Sequence, residues 1–229
     1  MTKQLLPEVN HPKYRFSRPG SLLFVTGAPL SGKSTISPII ASSIEGCTVQ
    51  SMDIIRLLAQ EMENLKKLEL RNPFVNYGSC DSYLLIGNGV YSPKKLIEGY
   101  KLYSLIICSL LFKILPKLEK QGVNEMLVEG VQLMPKLIEK IMKGNDTLII
   151  ISADKDRFYE NRKSVFGKDK KFIARYSTNK LLLIQQEILK QVKSIQNKKV
   201  VILQNNDDYS KVASAAIEFL LNNDVINPL

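Results

Sequence analysis

The chain has 229 residues, an ordinary globular composition of 45% hydrophobic and 24% charged residues, and a formal net charge of +10 at pH 7. These values suit one α/β domain, or one domain with a lid, and they favour anionic partners. Three widely spaced cysteines and a single histidine argue against a zinc site, and no apolar run is long enough to span a bilayer. We therefore predict a soluble cytoplasmic protein, a monomer or homodimer, that has no membrane partner.

Proline content and apolar patterning divide the chain into three parts. Residues 1–20 contain three prolines and are predicted to form an irregular N-terminal arm, and residues 225–229 are predicted to form a tail. Residues 21–224 alternate apolar runs with segments of helical spacing. Such alternation predicts a single domain built on a parallel sheet that is covered on both faces.

The most specific motif lies near the start of this domain. Residues 27–34 fit the P-loop pattern G-x-x-x-x-G-K-[ST], between a predicted strand, Leu22–Thr26, and a predicted helix that begins near Thr35. The loop N–H groups and the helix N-terminus are expected to hold the phosphates of ATP, with Lys33 on the β- and γ-phosphates and Ser34 on Mg²⁺. The candidate nucleotide-binding residues are Gly27, Ala28, Pro29, Leu30, Ser31, Gly32, Lys33, Ser34 and Thr35.

Asp53 lies between a second predicted strand, residues 47–51, and the helix that follows it. As a structural residue it would cap that helix. As a functional residue, just past the carboxyl end of a strand beside the P-loop, it would accept a proton from a substrate hydroxyl or help to hold Mg²⁺. Arg56, one turn further on, is a candidate for binding an anionic group of the substrate.

The elements after this helix continue the alternation. Residues 71–90, rich in glycine and aromatic residues, are predicted to form a loop and a short helix, either as a cover for the substrate or as a plain surface connection. Ser92 and Pro93 then start a long helix. The remaining predictions are strands over residues 125–130, 147–152 and 198–204, and helices over residues 135–142, 154–163, 168–193 and 208–222.

Glu129 ends the third predicted strand, and Gly130 follows it. A carboxylate at a strand end near the P-loop can order the water around Mg²⁺ or position the nucleophile, and the glycine is expected to allow a sharp turn. The alternative is an ordinary acid at a strand-to-loop turn. We expect the functional role.

Two basic helices meet at residues 164–167 and are predicted to form a lid over about residues 154–180. Such lids close over transferring phosphates and bring arginines to the developing charge. The candidates are Arg157, Arg162 and Arg175, and the alternative is that they are solvated surface residues.

Five segments of this chain occur in the same order as in one known protein family. They are the P-loop followed by Ser34-Thr35-Ile36, Met52–Arg56, Leu127–Pro135, Arg157–Arg162, and Arg175-Tyr176 followed by Ile184–Gln186. Together they resemble the kinase domain of the 2-phosphoglycerate kinase family, which belongs to the P-loop nucleoside and small-molecule kinases. The resemblance runs from about Ser21 to Asp208.

This resemblance implies a P-loop NTPase three-layer α/β/α sandwich with a five-stranded parallel sheet in the order 2-3-1-4-5 and a helical lid. It also implies ATP-dependent phosphorylation of 2-phosphoglycerate, with the three lid arginines at matching positions. The family usually has His where this chain has Gln132 and Arg where it has Gln185. The resemblance therefore implies a kinase more firmly than it implies this acceptor.

The sequence thus predicts a P-loop phosphotransferase that uses ATP and Mg²⁺ and a small anionic acceptor bearing an alcohol group. The predicted catalytic residues are Lys33, Asp53, Glu129, Arg157, Arg162 and Arg175, and the predicted metal site is Ser34, Asp53 and Glu129. Two alternatives stay open. One is a kinase for a nucleoside, a nucleotide or a nucleic-acid 5′-hydroxyl, and the other is a non-catalytic nucleotide-binding switch.

Overall fold

The structure, a computed structural model, describes residues 12–65, 77–87, 89–123, 125–196, 199–206 and 208–229. Its strands are β1 (Tyr14–Phe16), β2 (Leu22–Thr26), β3 (Thr48–Ser51), β4 (Met126–Glu129), β5 (Thr147–Ser152), β6 (Val200–Gln204) and β7 (Ile226–Pro228). Its α-helices are α1 (Lys33–Ser42), α2 (Met52–Leu65), α3 (Pro93–Lys120), α4 (Pro135–Ile138), α5 (Lys155–Phe166), α6 (Lys170–Arg175), α7 (Thr178–Val192) and α8 (Tyr209–Asn222). A 3₁₀ helix spans Ser79–Leu85.

Five parallel strands form the central sheet in the order β3-β4-β2-β5-β6. Counted within this sheet alone, the order is 2-3-1-4-5, as the resemblance implied. Glu129 at the end of β4 lies opposite Val25 on one side and Ser51 on the other. The carboxyl ends of β2, β3 and β4 therefore meet at one edge, which is where open α/β sheets bind their ligands.

Alternate residues of the sheet serve two separate hydrophobic cores. Phe24 packs into the core beneath α3 and α7, whereas Leu23 and Val25 pack into the core beneath α1 and α8. This period of two is the normal consequence of the strand pleat. The result is the predicted three-layer sandwich, and α5 and α6, joined by a turn at Gly167, form the helical segment for which a lid role is predicted.

The irregular arm and tail expected from the sequence each contain a short strand. β1 and β7 pair antiparallel, with Tyr14 opposite Pro228. Phe16 and Ile226 are buried and extend the core beneath α1 and α8, which stabilises the pair. Three-residue strands are too short to show a periodic pattern, and the partners lie at opposite ends of the chain, so the local sequence gave no signal.

The prediction of one long helix over residues 168–193 is wrong, because α6 ends at Arg175 and α7 starts at Thr178. Tyr176 between them has φ −100° and ψ 46°, which is not helical. Its ring stacks on that of Phe166 at a centroid distance of 5.0 Å. This aromatic contact between segments stabilises a break that no Gly or Pro marks in the sequence.

Other helix boundaries differ by less. α5 continues to Phe166, three residues beyond the predicted end at Lys163, and stops before Gly167, whose φ is +56°. The helix predicted over residues 135–142 is limited to Pro135–Ile138. A short helix within residues 71–90 is confirmed at Ser79–Leu85, whereas residues 71–76 lie outside the described part. Of the helices described, none is long and apolar enough to cross a membrane.

Candidate active site

The backbone of the loop needs glycine at two positions for different reasons. Gly32 has φ +95°, and a Cβ there would lie 2.3 Å from Asn205 Nδ2 and 2.8 Å from Tyr209 Cε1. Gly27 has no positive φ, but a Cβ there would lie 2.3 Å from the carbonyl oxygen of Ile151 in β5. Gly27 therefore allows a close approach to the sheet, and Gly32 allows the turn into α1.

Two buried asparagines outside the loop donate side-chain hydrogen bonds to its carbonyl oxygens. Asn205, which follows β6, donates from Nδ2 to the carbonyl oxygen of Ser31 at 2.7 Å. Asn161 of α5 donates to the carbonyl oxygen of Leu30 at 2.8 Å and accepts a hydrogen bond from Tyr209 at 3.2 Å. Because a peptide unit is planar and trans, the N–H of Gly32 points away from Asn205. These bonds thus fix the direction of the loop's peptide groups.

Sequence reasoning singled out neither asparagine. Asn205 stands just past the carboxyl end of β6, so the strand-end rule that selected Asp53 and Glu129 could have flagged it. Asn161 lies within the segment Arg157–Arg162 that carries the family resemblance, in which the arginines alone are predicted to be functional.

Lys33 and Ser34 open α1 directly after the loop. Lys33 is only 8% exposed, so most of its side chain is withdrawn from water. Ser34 donates from Oγ to Glu129 Oε2 at 3.0 Å, and Glu129 is buried at the end of β4. The structure thus brings Ser34 and Glu129 together, and it leaves Thr35 exposed on the first turn. Of the first four N–H groups of α1, those of Thr35 and Ile36 donate to the carbonyl oxygen of Gly32 at 3.0 Å, which leaves those of Lys33 and Ser34 for a ligand.

These groups fit a nucleotide with Mg²⁺. A hydroxyl and a carboxylate are the oxygen ligands that Mg²⁺ prefers. Ser31 Oγ is buried and has no hydrogen-bond partner among the described residues, so the loop contains an unsatisfied polar atom. No group of three or more His, Cys, Asp or Glu in the described part could hold a metal. An Mg²⁺ ion at Ser34 and Glu129 would therefore take further ligands from phosphates and water.

Asp53 is the second residue of α2 and does not cap it. Its N–H is instead held by Ser51 Oγ at 3.3 Å, because Ser51 precedes the helix and can act as the cap. The Asp53 side chain is 62% exposed, and its Oδ1 lies 3.7 Å from Arg56 Nε. Gln132 Nε2 donates to the same Oδ1 at 2.9 Å. The structure therefore brings Asp53 and Arg56 together and connects them to Gln132, not to Ser34 and Glu129.

Gly130 serves a different purpose from the one expected. Its φ is not positive, so no unusual turn requires glycine here. A Cβ at this position would instead lie 2.5 Å from Gln132 Oε1 and 2.6 Å from Met52 Cβ. The absence of a side chain makes room for the Gln132 amide and for the start of α2.

The second departure from the family pattern has a structural explanation. Gln185 of α7 donates from Nε2 to the carbonyl oxygen of Ala153 and accepts from the N–H of the same residue, both at 2.8 Å. Ala153 directly follows β5. The paired hydrogen bonds fasten α7 to the end of this strand, and they satisfy a buried backbone unit that has left the sheet.

The three lid arginines occupy different surroundings. The Arg157 guanidinium lies over the Tyr209 ring at 4.7 Å, and that of Arg162 lies over the Tyr159 ring at 5.5 Å. Arg175 of α6 forms an ion pair of 2.5 Å with Asp81 of the 3₁₀ helix. Arg157 thus lies near the asparagines that hold the loop, whereas Arg175 is bound to the segment before α3. The structure does not gather the three at one point.

Asp81 has a second cation within reach. Lys180 Nζ lies 4.0 Å from Asp81 Oδ1 and 4.8 Å from the centre of the Tyr83 ring. Burial raises the pKa of Asp81, and the two cations act against that rise. Because the Asp81 carboxyl lies so close to the Arg175 guanidinium, we take Asp81 to be the anion of this ion pair. The pair holds α6 against the 3₁₀ helix.

The similarity of this chain to known proteins is confined to solved structures. No family model and no curated protein matches the chain. The chain is similar in structure to thymidylate kinase from Candida albicans, at 11% identity and a TM-score of 0.47, over 91% of this chain and 95% of that one. A gluconokinase from Sinorhizobium meliloti aligns at 11% identity and a TM-score of 0.44, over 90% and 94% of the two chains. Shikimate kinase from Aquifex aeolicus aligns at 17% identity and a TM-score of 0.42, over 88% and 97%.

The loop geometry and strand order of this chain identify its fold. A glycine-rich loop that leads from β2 into α1, and a parallel sheet in the order 2-3-1-4-5, define the P-loop NTPase sandwich. The described site contains the loop, the buried Lys33 and five further polar side chains at the carboxyl edge of this sheet, the carboxylates of Asp53 and Glu129 and the amides of Gln132, Asn161 and Asn205.

Proposed function

We propose that this chain is an ATP-dependent kinase that transfers the γ-phosphoryl group to a hydroxyl of a small anionic metabolite resembling 2-phosphoglycerate. One observation carries the proposal. The P-loop with its buried Lys33 ends at the same sheet edge as Asp53, a largely exposed carboxylate with one oxygen held by a neighbouring amide. A phosphate cradle beside an accessible base is the arrangement that phosphoryl transfer to a hydroxyl requires.

In this proposal the loop binds the phosphates of ATP. The N–H groups at the start of α1 that remain without a backbone acceptor donate to phosphate oxygens, and Lys33 neutralises the β- and γ-phosphates. Ser34 and Glu129 would hold Mg²⁺, which would supply positive charge to the phosphates. Asn161 and Asn205 keep the loop in its binding conformation.

Asp53 acts on the acceptor. It takes the proton from the acceptor hydroxyl while that oxygen forms a bond to the γ-phosphorus, and the bond from this phosphorus to the bridging oxygen of ADP breaks. Arg56, already 3.7 Å from Asp53, is placed to bind an anionic group of the acceptor. The net charge of +10 supports an anionic acceptor over a neutral one.

The lid arginines complete the proposal. Arg157 and Arg162 of α5 stabilise the negative charge on the transferring phosphoryl group. Arg175 would take part only after its ion pair with Asp81 opens.

The test is ADP release from Mg·ATP at low salt, measured with 2-phosphoglycerate, 3-phosphoglycerate, a set of nucleosides and a 5′-hydroxyl oligonucleotide. We expect stimulation by a small anionic acceptor and a loss of several orders of magnitude in Lys33→Ala. Lys113→Ala, at an exposed position of α3, is the control. Stimulation by another acceptor would keep the kinase and change its substrate. Binding of ATP with no acceptor-dependent ADP from any compound would favour a nucleotide-binding switch.

A further inference from the structure

Gln132 is a fully buried amide in the turn after β4, and both of its donor positions are used. Its Nε2 donates to Asp53 Oδ1 at 2.9 Å and to the hydroxyl oxygen of Tyr103 at 2.8 Å. Its backbone carbonyl accepts from Cys108 Sγ at 3.0 Å and from the N–H of Met134 at 2.8 Å. The side chain thus bridges α2 and α3 from an anchored backbone.

The neighbours of Gln132 fix which way its amide faces. If the amide were turned over, its oxygen would face Oδ1 of Asp53, and two acceptors would repel each other. Oε1 lies instead against Gly130, where a Cβ would come within 2.5 Å of it. Oε1 has no hydrogen-bond partner among the described residues, so the buried amide leaves one acceptor unsatisfied while both donor bonds are made.

This arrangement leaves the two oxygens of Asp53 in different situations. Oδ1 receives the Gln132 hydrogen bond and faces Arg56. Among the described residues no hydrogen bond reaches Oδ2, and the side chain as a whole is 62% exposed. A carboxylate with one oxygen held and the other open to solvent has a defined direction for accepting a proton.

We propose that Gln132 is a positioning residue, which holds Oδ1 of Asp53 so that Oδ2 is the oxygen presented to the acceptor hydroxyl. The inference rests on the proposed kinase function and adds a residue to its site. Gln132 has no exposed surface, so it acts through Asp53 and does not itself touch the acceptor. A neutral amide donor fixes the direction of the carboxylate without adding a further charge beside it.

Three substitutions test the role of the amide. Gln132→Met keeps the approximate shape and removes both donors, whereas Gln132→His keeps an N–H donor. General-base catalysis typically raises a rate roughly 10²–10⁴-fold. A base that is present but wrongly directed should lose only part of this factor. Gln132→Met is therefore expected to lower kcat about tenfold. The KM for ATP should stay within about twofold, and Gln132→His should recover part of the loss. The third substitution, Gln191→Met, is the control, because Gln191 is a buried glutamine that also donates to a carboxylate, Glu187, but within α7.

The decisive measurement combines Gln132→Met with Asp53→Asn. If Gln132 acts through Asp53, the double variant is expected to have the same kcat as Asp53→Asn alone. An additional tenfold loss in the double variant would overturn the inference, because a merely structural defect would act whether or not the base is present. Unchanged kcat in Gln132→Met, in a protein that does phosphorylate an acceptor, would overturn it as well.

A measurement without catalysis separates the contact from the proposed function. In ¹⁵N-glutamine-labelled protein, the side-chain amide signal of Gln132 is assigned by its loss in Gln132→Met. This signal is expected to move in Asp53→Ala and to stay in place in Lys113→Ala. A signal that does not move in Asp53→Ala overturns the inference, whatever the activity. A signal that moves in a protein that phosphorylates no acceptor supports the contact and contradicts the kinase.

Discussion

The bond from Asn205 to the P-loop offers the sharpest test of how the loop is held. Asn205→Ala removes the donor to the Ser31 carbonyl, a bond of 2.7 Å between two residues with no exposed surface. The substitution therefore leaves a buried carbonyl oxygen without its partner, next to the turn that leads into α1.

The magnitude follows from this geometry. An unsatisfied buried acceptor costs about 1–3 kcal/mol. The change also removes Oδ1 of Asn205, which has no hydrogen-bond partner in the described part of the chain, so some of the cost is offset. We expect the free energy of unfolding to fall by about 2 kcal/mol. We expect the affinity for ATP to fall about tenfold, equivalent to about 1.4 kcal/mol, because a loosened loop has to be ordered again on binding.

The assays are urea unfolding for stability and titration calorimetry for the affinity of ATP. Asn145→Ala is the matched control, since Asn145 is also buried and donates to Ser17 Oγ at 2.8 Å, at the opposite edge of the sheet. It should lose comparable stability and keep its affinity. Equal losses of affinity in both variants would refute the reasoning, because the effect would then follow global stability and not the direction of the loop peptides.

Further predictions concern the acceptor side and the thiols. Asp53→Asn is expected to lower turnover roughly a hundredfold or more with little change in the dissociation constant of ATP. Equal losses of turnover and of affinity for ATP would indicate a Mg²⁺ or structural role. Gly130→Ala is expected to lower the melting temperature, because the new Cβ would lie 2.5 Å from Gln132 Oε1 and 2.6 Å from Met52 Cβ; calorimetry that shows no change would mean that the turn can shift. Burial raises the pKa of each of the three thiols to about 12, so few are ionised at pH 8. Alkylation at that pH should be on the order of a thousandfold slower than in urea, and mass spectrometry showing equal rates would contradict this burial.

Much of the framework could be predicted because its signals are local. The loop motif, the apolar run before it and the helical spacing after it lie within about 20 consecutive residues, and the structure confirms the strand, the turn and the helix. Glu129 and Asp53 could be selected because each follows an apolar run, and parallel strands end at the same edge of a sheet. The strand order required more, and it came from the family resemblance.

The contacts that the sequence did not predict join distant segments. Asn205 and Ser31 are 174 residues apart, and Gln132 and Asp53 are 79 residues apart. Such pairs depend on how elements pack, and a single sequence carries no record of that packing. Gln132 could be noticed only as a departure from the family pattern, and the purpose of Gly130 only from the space beside it. The ion pair of Arg175 with Asp81 was missed for the same reason.

Leu30 gives the loop a further property. Its φ of 63° lies in the left-handed region, which is unfavourable for a leucine by roughly 1–2 kcal/mol, and its carbonyl is held by Asn161 of α5. One hydrogen bond therefore joins the strained residue of the loop to the packed helix α5. If a ligand binds more tightly to the loop in this conformation, reciprocity requires that it also stabilises the contact with α5 by the same factor.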